Sequence, residues 1–309
     1  MMTSTTQVRG ADSPSRCSHC AGEGALAFRT LDYNRRISDM CFSYYRCVAC
    51  GLLYLDPVPA DLGRYYPANY YAVPTSLSQL AAAAELERYK IDIVRQFVAG
   101  GRLLEIGPAY GSFAYLAREA GFTVDTIEMD EGCCRFLREV VGVRALCSND
   151  VPAALQELPP FDVIALWHVI EHVPDPWRVL EAAAAHLSPG GVLVVAAPNP
   201  EAYQFRLLGA HWAHVDAPRH LTLPAAALIE GAVRAGGLRT ELRTTVDPGS
   251  IGWNHFGWEM SLRTWARWRP ARLLLRLLGR VAGFLAQPIE RRDGLGATYT
   301  LVLRKGDGR

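Results

Sequence analysis

At 309 residues, half of them hydrophobic and a fifth charged, the chain carries enough apolar material for a packed core, which excludes wholesale disorder. Acidic and basic side chains nearly cancel, leaving a formal net charge of +1. That balance argues against a protein whose affinity comes from counterion release on nucleic acid, and no run of eighteen apolar residues offers a membrane-spanning helix.

In chain order, residues 1–16 are polar, lack the apolar stretch of a secretion signal, and read as a flexible tail. Eight cysteines without such a signal imply a reducing compartment, with the cytoplasm as the expectation. Four of them form two C-x-x-C pairs, Cys17-Ser-His-Cys20 and Cys47-Val-Ala-Cys50. Each pair turns two thiolates to one side of a tight loop. Two such knuckles close a tetrahedral Zn²⁺ shell and leave no position open for water. The alternating residues between them suit a short antiparallel ribbon, so residues 17–60 read as a structural zinc ribbon. His19 could compete as a ligand, but four thiolates already complete the shell. Cys41, Cys133, Cys134 and Cys147 lack partner spacing and read as core thiols.

Residues 61–100 read as a tyrosine-rich strap and a lead-in helix. Pro67 and Pro74 break any helix in "GRYYPANYYAVP". Tyr66, Tyr70 and Tyr71 could close over an adenosine or an acceptor ring, or could hold the ribbon to the core. "SLSQLAAAAELERYKIDIVRQFVAGG" then reads as one helix.

From Gly101 short apolar runs alternate with helical stretches. "RLLEIG", "FTVDTIEMD", "GVRALC", "FDVIALWHV" and "VLVVAAPN" are the strands of a parallel sheet covered on both faces. Ligands of such sheets sit beyond the carboxyl ends of the strands. Gly107 and Gly111, after the first strand, would let the backbone approach a ligand where a Cβ would clash. Glu128 closes the second strand and could accept both hydrogen bonds of a ribose diol. These features alone separate neither a nicotinamide cofactor from another adenosine compound, nor a ligand loop from an ordinary turn.

Three segments carry a resemblance that does. "EIGPAYG" resembles E-x-G-x-G-x-G, the first motif of the class I S-adenosylmethionine-dependent methyltransferases. "FDVIALWHVIEHVPDP" resembles their fourth-strand segment, and "HLSPGGVLVVAAPN" the run into their fifth strand. The resemblance covers residues 101–245. With the knuckles it is similar to the ribbon-bearing enzymes of sugar, natural-product and surface-glycan pathways. It implies an α/β fold with a Rossmann-like, mostly parallel sheet behind a small zinc ribbon. The departure is Ala109, where the family usually has its middle glycine.

Carried over by position, the resemblance assigns Glu105, Gly107, Ala109 and Gly111 to the methionine end of the cofactor and Glu128 to the ribose. Asn149 or Asp150 would stand near the adenine amino group, with Trp167 and His168 lining the methyl-transfer cleft. The implied activity is in-line methyl transfer from S-adenosylmethionine to a hydroxyl or carbon of a small acceptor in secondary or glycan metabolism. Two alternatives are an RNA methyltransferase gripping nucleic acid through the ribbon and an inactive scaffold of the same fold. Near-neutral charge disfavours the first, and intact Gly107, Gly111 and Glu128 disfavour the second.

Histidine suits the proton transfer an acceptor needs, because its ordinary pKa lies near working pH. His168 and His220 are the candidate bases, with His172 behind them. "HWAHVDAPRHL" places His214 and Arg219 after the fifth strand, His214 to meet the acceptor and Arg219 to clamp an anionic one. His168, Glu171, His172 and His220 are also metal-ligating types, but no second glutamate stands beside them and no catalytic metal is expected.

Residues 246–309 read as an acceptor lid, an amphipathic helix and a final strand. Trp253, Phe256 and Trp258 would build the lid or a local core. The helix "ARLLLRLLGRVAGFLAQPIERR" carries Arg272, Arg276 and Arg280. It would either touch a membrane or a lipid-linked acceptor, or pack its apolar face on its own domain and leave the arginines in water. The second is the ordinary outcome. "ATYTLVLRK" is the last strand.

Overall fold

Period-two patterning around the knuckles folds as Gly24–Thr30 (β1), Phe42–Cys47 (β2) and Leu53–Leu55 (β3), antiparallel in succession. This computed structural model describes residues 15–67, 70–266 and 268–307. Residues 1–14 of the expected tail therefore lie outside the described residues. Ser15 and Arg16 belong to the ribbon instead: Ser15 is buried, its Oγ donates to Tyr54 Oη at 2.9 Å, and Arg16 bridges Glu23. The ribbon's sheet is completed by Thr222–Leu223 (β9), with Leu53 opposite Leu223. Phe42, Tyr44 and Leu53 share one apolar cluster with Trp212, Leu221 and Trp258.

The main sheet has seven strands. Arg102–Ile106 (β4), Thr123–Glu128 (β5), Arg144–Cys147 (β6), Phe161–Trp167 (β7) and Leu187–Pro198 (β8) run parallel. Leu238–Thr244 (β10) pairs antiparallel with Thr298–Lys305 (β11), which runs antiparallel to β8. The order β10-β11-β8-β7-β4-β5-β6 reverses the chain's direction of travel between β4 and β7. A ligand crevice opens at such a switch point.

Leu77–Glu85 (α1), Arg88–Arg95 (α2) and Ser112–Glu119 (α3) cover one face. Glu131–Phe136 (α4) runs on as a π turn, followed by Val151–Leu155 (α5) and Pro176–Ala185 (α6). Tyr203–Leu208 (α7), Ala226–Arg234 (α8), Pro248–Arg263 (α9) and Arg269–Glu290 (α10) complete the set.

The structure corrects several expected elements. The lead-in helix is two helices, broken at Leu86 and Glu87, and both halves feed one core through Leu80, Ala84, Ile91 and Val94. α6 ends at Ala185, and β8 starts at Leu187, ahead of its expected start at Val192, taking in "SPGG". Cys133 and Cys134 are buried as expected, whereas Cys41 and Cys147 are exposed.

The largest inversion is in α10. Gly279 and Gly283 face α9, where a Cβ on Gly279 would meet the Trp258 carbonyl oxygen at 2.7 Å. Small residues make the close helix contact, so the leucines point outward. Leu273, Leu277 and Phe284 are 69, 57 and 69 % exposed, while Arg276 and Arg280 pair with Glu259.

Candidate active site

The loop after β4 is shaped by left-handed backbone. Gly107 and Gly111 take φ of +67° and +85°. A Cβ would lie 2.6 Å from Val169 on Gly107 and 2.5 Å from Leu137 on Gly111. The turn and this chain's own packing therefore demand both glycines, whatever a ligand adds. Ala109 is also left-handed, at φ +51°, which costs an L residue about 1–2 kcal/mol.

Glu128 braces that strained residue. Ala109 N–H donates to Glu128 Oε2 at 2.9 Å, and Met129 and Asp130 donate to Oε1 at 2.8 and 2.9 Å. Burial pushes the carboxyl up, and the three donors oppose it. Oε1 has both lone pairs engaged, and Oε2 keeps one for a further donor. Beyond β6, Asn149 and Asp150 are exposed, and Asp150 caps α5 by accepting from Ala153 N–H at 3.1 Å.

Three buried polar atoms beside the loop have no partner: Glu105 Oε2, Ser112 Oγ and Trp167 Nε1. Glu105 ends β4, Ser112 opens α3 and Trp167 ends β7, so they gather at the switch point. Burial pushes Glu105 up to about 8, against the pull of Lys90. An orphaned carboxylate oxygen, a hydroxyl and an indole N–H suit the ammonium and carboxylate of an amino-acid moiety, the methionine end of the expected cofactor. Ser112 was not a sequence candidate; the only hint was its place after Gly111. Trp167 keeps its expected place at the cofactor end of the methyl-transfer cleft. Its ring packs against Phe113 at 5.6 Å.

A cavity of about 420 Å³ opens next to the end of β7. His168, Glu171, His172, His214 and His220 form one wall, Trp253, Phe256 and Met260 of α9 another, and Tyr70 part of the rim. The loop after β1 contributes Asn34 and Arg35, so the ribbon helps to build this cavity. Arg35 stacks on Tyr70, 4.0 Å from its ring centre. Tyr66 lies behind the wall with its Oη 3.0 Å from His172 Nδ1, and Tyr71 packs on Tyr70.

His168 has a left-handed φ of +58°, and strain of this kind gathers at functional sites. Its Nδ1 stands 3.7 Å from Glu171 Oε1. Burial would raise Glu171, but His168 close by and the neighbouring imidazoles hold it below the usual carboxylate range. Burial lowers His172 to about 4 and His214 to about 3, so both rings are neutral at working pH. His214 Nε2 meets the Trp253 carbonyl at 3.2 Å and donates to it.

Arg219 is not an acceptor clamp. Its guanidinium is wholly buried, donating to Asp32 Oδ1 at 2.7 Å and to Asp216 at 2.7 and 2.8 Å. Burial opposes its charge, and Asp216 and Asp32 outweigh that cost. Asp32 comes from the ribbon, so this ion pair ties the ribbon to the core beneath the cavity floor.

The four knuckle cysteines converge. Cys17 and Cys50 sulfurs are 3.6 Å apart, Cys20 and Cys47 are 3.4 Å apart, and all four lie within 4.8 Å of one another. Tetrahedral Zn–S bonds of about 2.3 Å give sulfur–sulfur edges of roughly 3.8 Å. The cluster is thus consistent with a zinc site. His19 stays out of it, its ring 4.1 Å from that of Trp177 on α6.

This architecture is that of a class I methyltransferase: a parallel sheet with an antiparallel final hairpin, a glycine loop at the switch point and an acidic end to the next strand. The chain matches the methyltransferase-domain family over residues 79–242, just over half its length, and belongs to that S-adenosylmethionine-dependent family. Ubiquinone biosynthesis O-methyltransferase of Caulobacter sp. (strain K31) is 33% identical over 143 residues, covering 44% of this chain and 56% of that protein. The Pseudomonas fluorescens (strain Pf0-1) protein of the same name is 31% identical over 129 residues, covering 40% and 56%. The chain thus spans about half the length of these curated relatives. A SAM-dependent methyltransferase structure from Archaeoglobus fulgidus shares the fold, with a TM-score of 0.50, 16% identity and coverage of 72% of this chain and 94% of that one.

Proposed function

We propose that the chain methylates a hydroxyl oxygen of a small acceptor seated in the cavity beside β7. The observation that carries this reading is a four-histidine cavity wall beside the end of β7, whose Trp167 is one of the orphaned polar groups along with Glu105 of β4 and Ser112 of α3. Oxygen is preferred over carbon because the curated relatives are O-methyltransferases by name. The resemblance of the ribbon and core favours an acceptor from natural-product or glycan metabolism, and the cysteine usage favours the cytoplasm.

Glu105, Ser112 and Trp167 would hold the methionine end of S-adenosylmethionine, Glu128 the ribose, and Asn149 the adenine edge. When bound, the cofactor supplies a methyl group on a sulfonium, an already activated leaving group. The chain's residues have to align the acceptor, exclude water and take one proton. His168 is the base of this reading, its ring oriented by Glu171 and by Trp253, 5.0 Å away. His214, a donor toward Trp253, shapes the pocket, and Tyr70 with Arg35 closes its rim. The four cysteines hold a structural zinc.

Because the ribbon's Asn34 and Arg35 face this cavity, the small-molecule reading is favoured over RNA binding through the ribbon. For a further partner we propose a membrane surface or a lipid-linked acceptor, supported by the outward leucines of α10. The reading as a whole is tested by calorimetry of the zinc-loaded protein with S-adenosylhomocysteine, then by methylation of a panel of hydroxyl acceptors. Absence of cofactor binding by folded protein sinks it. His168→Gln should lower kcat by about a hundredfold or more with cofactor affinity unchanged.

A further inference from the structure

We infer that Glu171, His172 and His220 form a divalent-metal site on the wall of the acceptor cavity, separate from the cysteine cluster. One ligand atom from each lies within 4.8 Å of the other two. These residue types are metal-ligating, but the lack of a second glutamate argued against a metal; the fold supplies what the sequence lacks by bringing three of them together. Glu171 and His172 follow β7 while His220 follows β8, and only the fold joins them.

The hydrogen bonds of the two rings carry the argument. His172 Nδ1 is 3.1 Å from the Arg219 carbonyl oxygen, and His220 Nδ1 is 2.8 Å from that of His214. A carbonyl can only accept, so His220 Nδ1 bears the proton and its Nε2 keeps its lone pair; His172 Nδ1, shared between the Arg219 carbonyl and Tyr66 Oη at 3.0 Å, does the same in the tautomer that donates to the carbonyl. Metal-binding imidazoles are held in this way, their second nitrogen donating to a backbone carbonyl. The rings sit 4.6 Å apart and 82° to one another.

The carboxylate supplies an independent observation. Glu171 is 1 % exposed, and its Oε2 has no hydrogen-bond partner, while Oε1 faces His168. A buried carboxylate oxygen without a donor is costly, and a cation beside it removes that cost. The ligand-bearing segments are also clamped together, because Leu221 N–H donates to the Glu171 carbonyl at 2.7 Å. A set tied this tightly is preorganised.

Two imidazole nitrogens and one carboxylate oxygen leave coordination positions open toward the cavity, an arrangement that suits Mn²⁺, Fe²⁺, Co²⁺ or Zn²⁺. An acceptor hydroxyl taken into an open position becomes more acidic. Its proton passes to His168, and the oxygen–methyl bond forms as the sulfur–methyl bond breaks, leaving a neutral thioether. This catalytic use rests on the methyl-transfer reading above; the site itself does not.

The test starts from full-length protein carrying one zinc per chain and titrates Mn²⁺ against it, following the paramagnetic resonance of free ion. One further ion per chain is expected. Glu171→Gln, His172→Gln and His220→Gln should each weaken it about tenfold or more, with zinc content, melting temperature and S-adenosylhomocysteine affinity kept. Co²⁺ gives a second readout, binding without the intense thiolate band of a cysteine site. Wild-type protein that takes up neither ion, or variants that all bind as wild type does, would overturn the proposal. Ion binding without any cofactor binding would keep the site and remove the methyl-transfer reading, whereas the reverse would do the opposite.

Discussion

The N–H of Ala109 donates to Glu128 Oε2 across 2.9 Å, so the acid that ends β5 also braces the strained turn of the cofactor loop. The proposed ribose contact and the loop's shape thus depend on one side chain. Glu128→Ala should lose both and weaken S-adenosylhomocysteine binding by about tenfold or more, roughly the cost of a charge-assisted hydrogen bond. Calorimetry checks this, and unchanged affinity would refute the ribose role.

Ala109 offers the opposite experiment. Its φ of +51° is one that glycine adopts freely, so Ala109→Gly relieves about 1 kcal/mol of strain while adding freedom to the unfolded chain. The net expectation is a small rise in melting temperature with cofactor affinity held. A drop of several degrees would mean that the methyl group packs usefully.

Glu105 should make cofactor binding depend on pH. Its carboxyl is raised from 4.5 to about 8, so the folded chain keeps a proton that the unfolded chain releases. Its contribution to stability is complete below about pH 4.5 and is lost as pH rises through about 8. Glu105→Gln should remove that slope from denaturation curves. A cationic ligand favours the ionised form, so cofactor binding should release a proton at neutral pH. Calorimetry in buffers of different ionisation enthalpy measures that release, and its persistence in Glu105→Gln would assign the proton to another group.

These residues also mark how far the sequence can be read. The knuckles, the strand–helix alternation and the glycine loop are local patterns, and the fold follows from them. Arg219 is different: its partner Asp32 lies 187 residues away, and nothing nearby in the chain distinguishes a buried ion pair from a substrate clamp. The same holds for the pairing of Leu53 with Leu223, which builds the ribbon into the core. Left-handed φ at Ala109 and His168 is equally invisible, because neither residue type announces it. For the leucines of α10 the hydrophobic pattern leaves burial and exposure both open, and Gly279 and Gly283 decide which side docks.

Disrupting the proposed zinc site tests whether the ribbon serves the cavity. Cys47→Ser should loosen the sheet that presents Asp32, Asn34 and Arg35. Acceptor turnover should then fall while S-adenosylhomocysteine binding persists, since the cofactor loop contacts none of these. Arg219→Ala should act from the other side. It leaves Asp32 and Asp216 buried without their partner, a loss of about 3–5 kcal/mol in denaturation measurements. A change under 1 kcal/mol would show that water reaches the pair.

The outward face of α10 bears on where the acceptor is met. Leu273, Leu274, Leu277, Leu278, Val281, Phe284 and Leu285 are between 47 and 69 % exposed, an apolar stripe along one side of the helix. Trp265 and Trp268 stand exposed beside its first turn, and residues 269–289 include no acidic side chain. Apolar residues, tryptophans and arginines together fit an interfacial helix lying on an anionic bilayer. No helix among the described residues is long and apolar enough to cross one. The protein should therefore co-sediment with vesicles containing phosphatidylglycerol, less with pure phosphatidylcholine, and Leu277→Glu with Phe284→Glu should abolish it. Those two positions face away from the cavity, so turnover of a water-soluble acceptor should survive the change. A dimer that falls apart in the double variant, with no vesicle binding in the parent, would instead assign the stripe to a second copy of the chain.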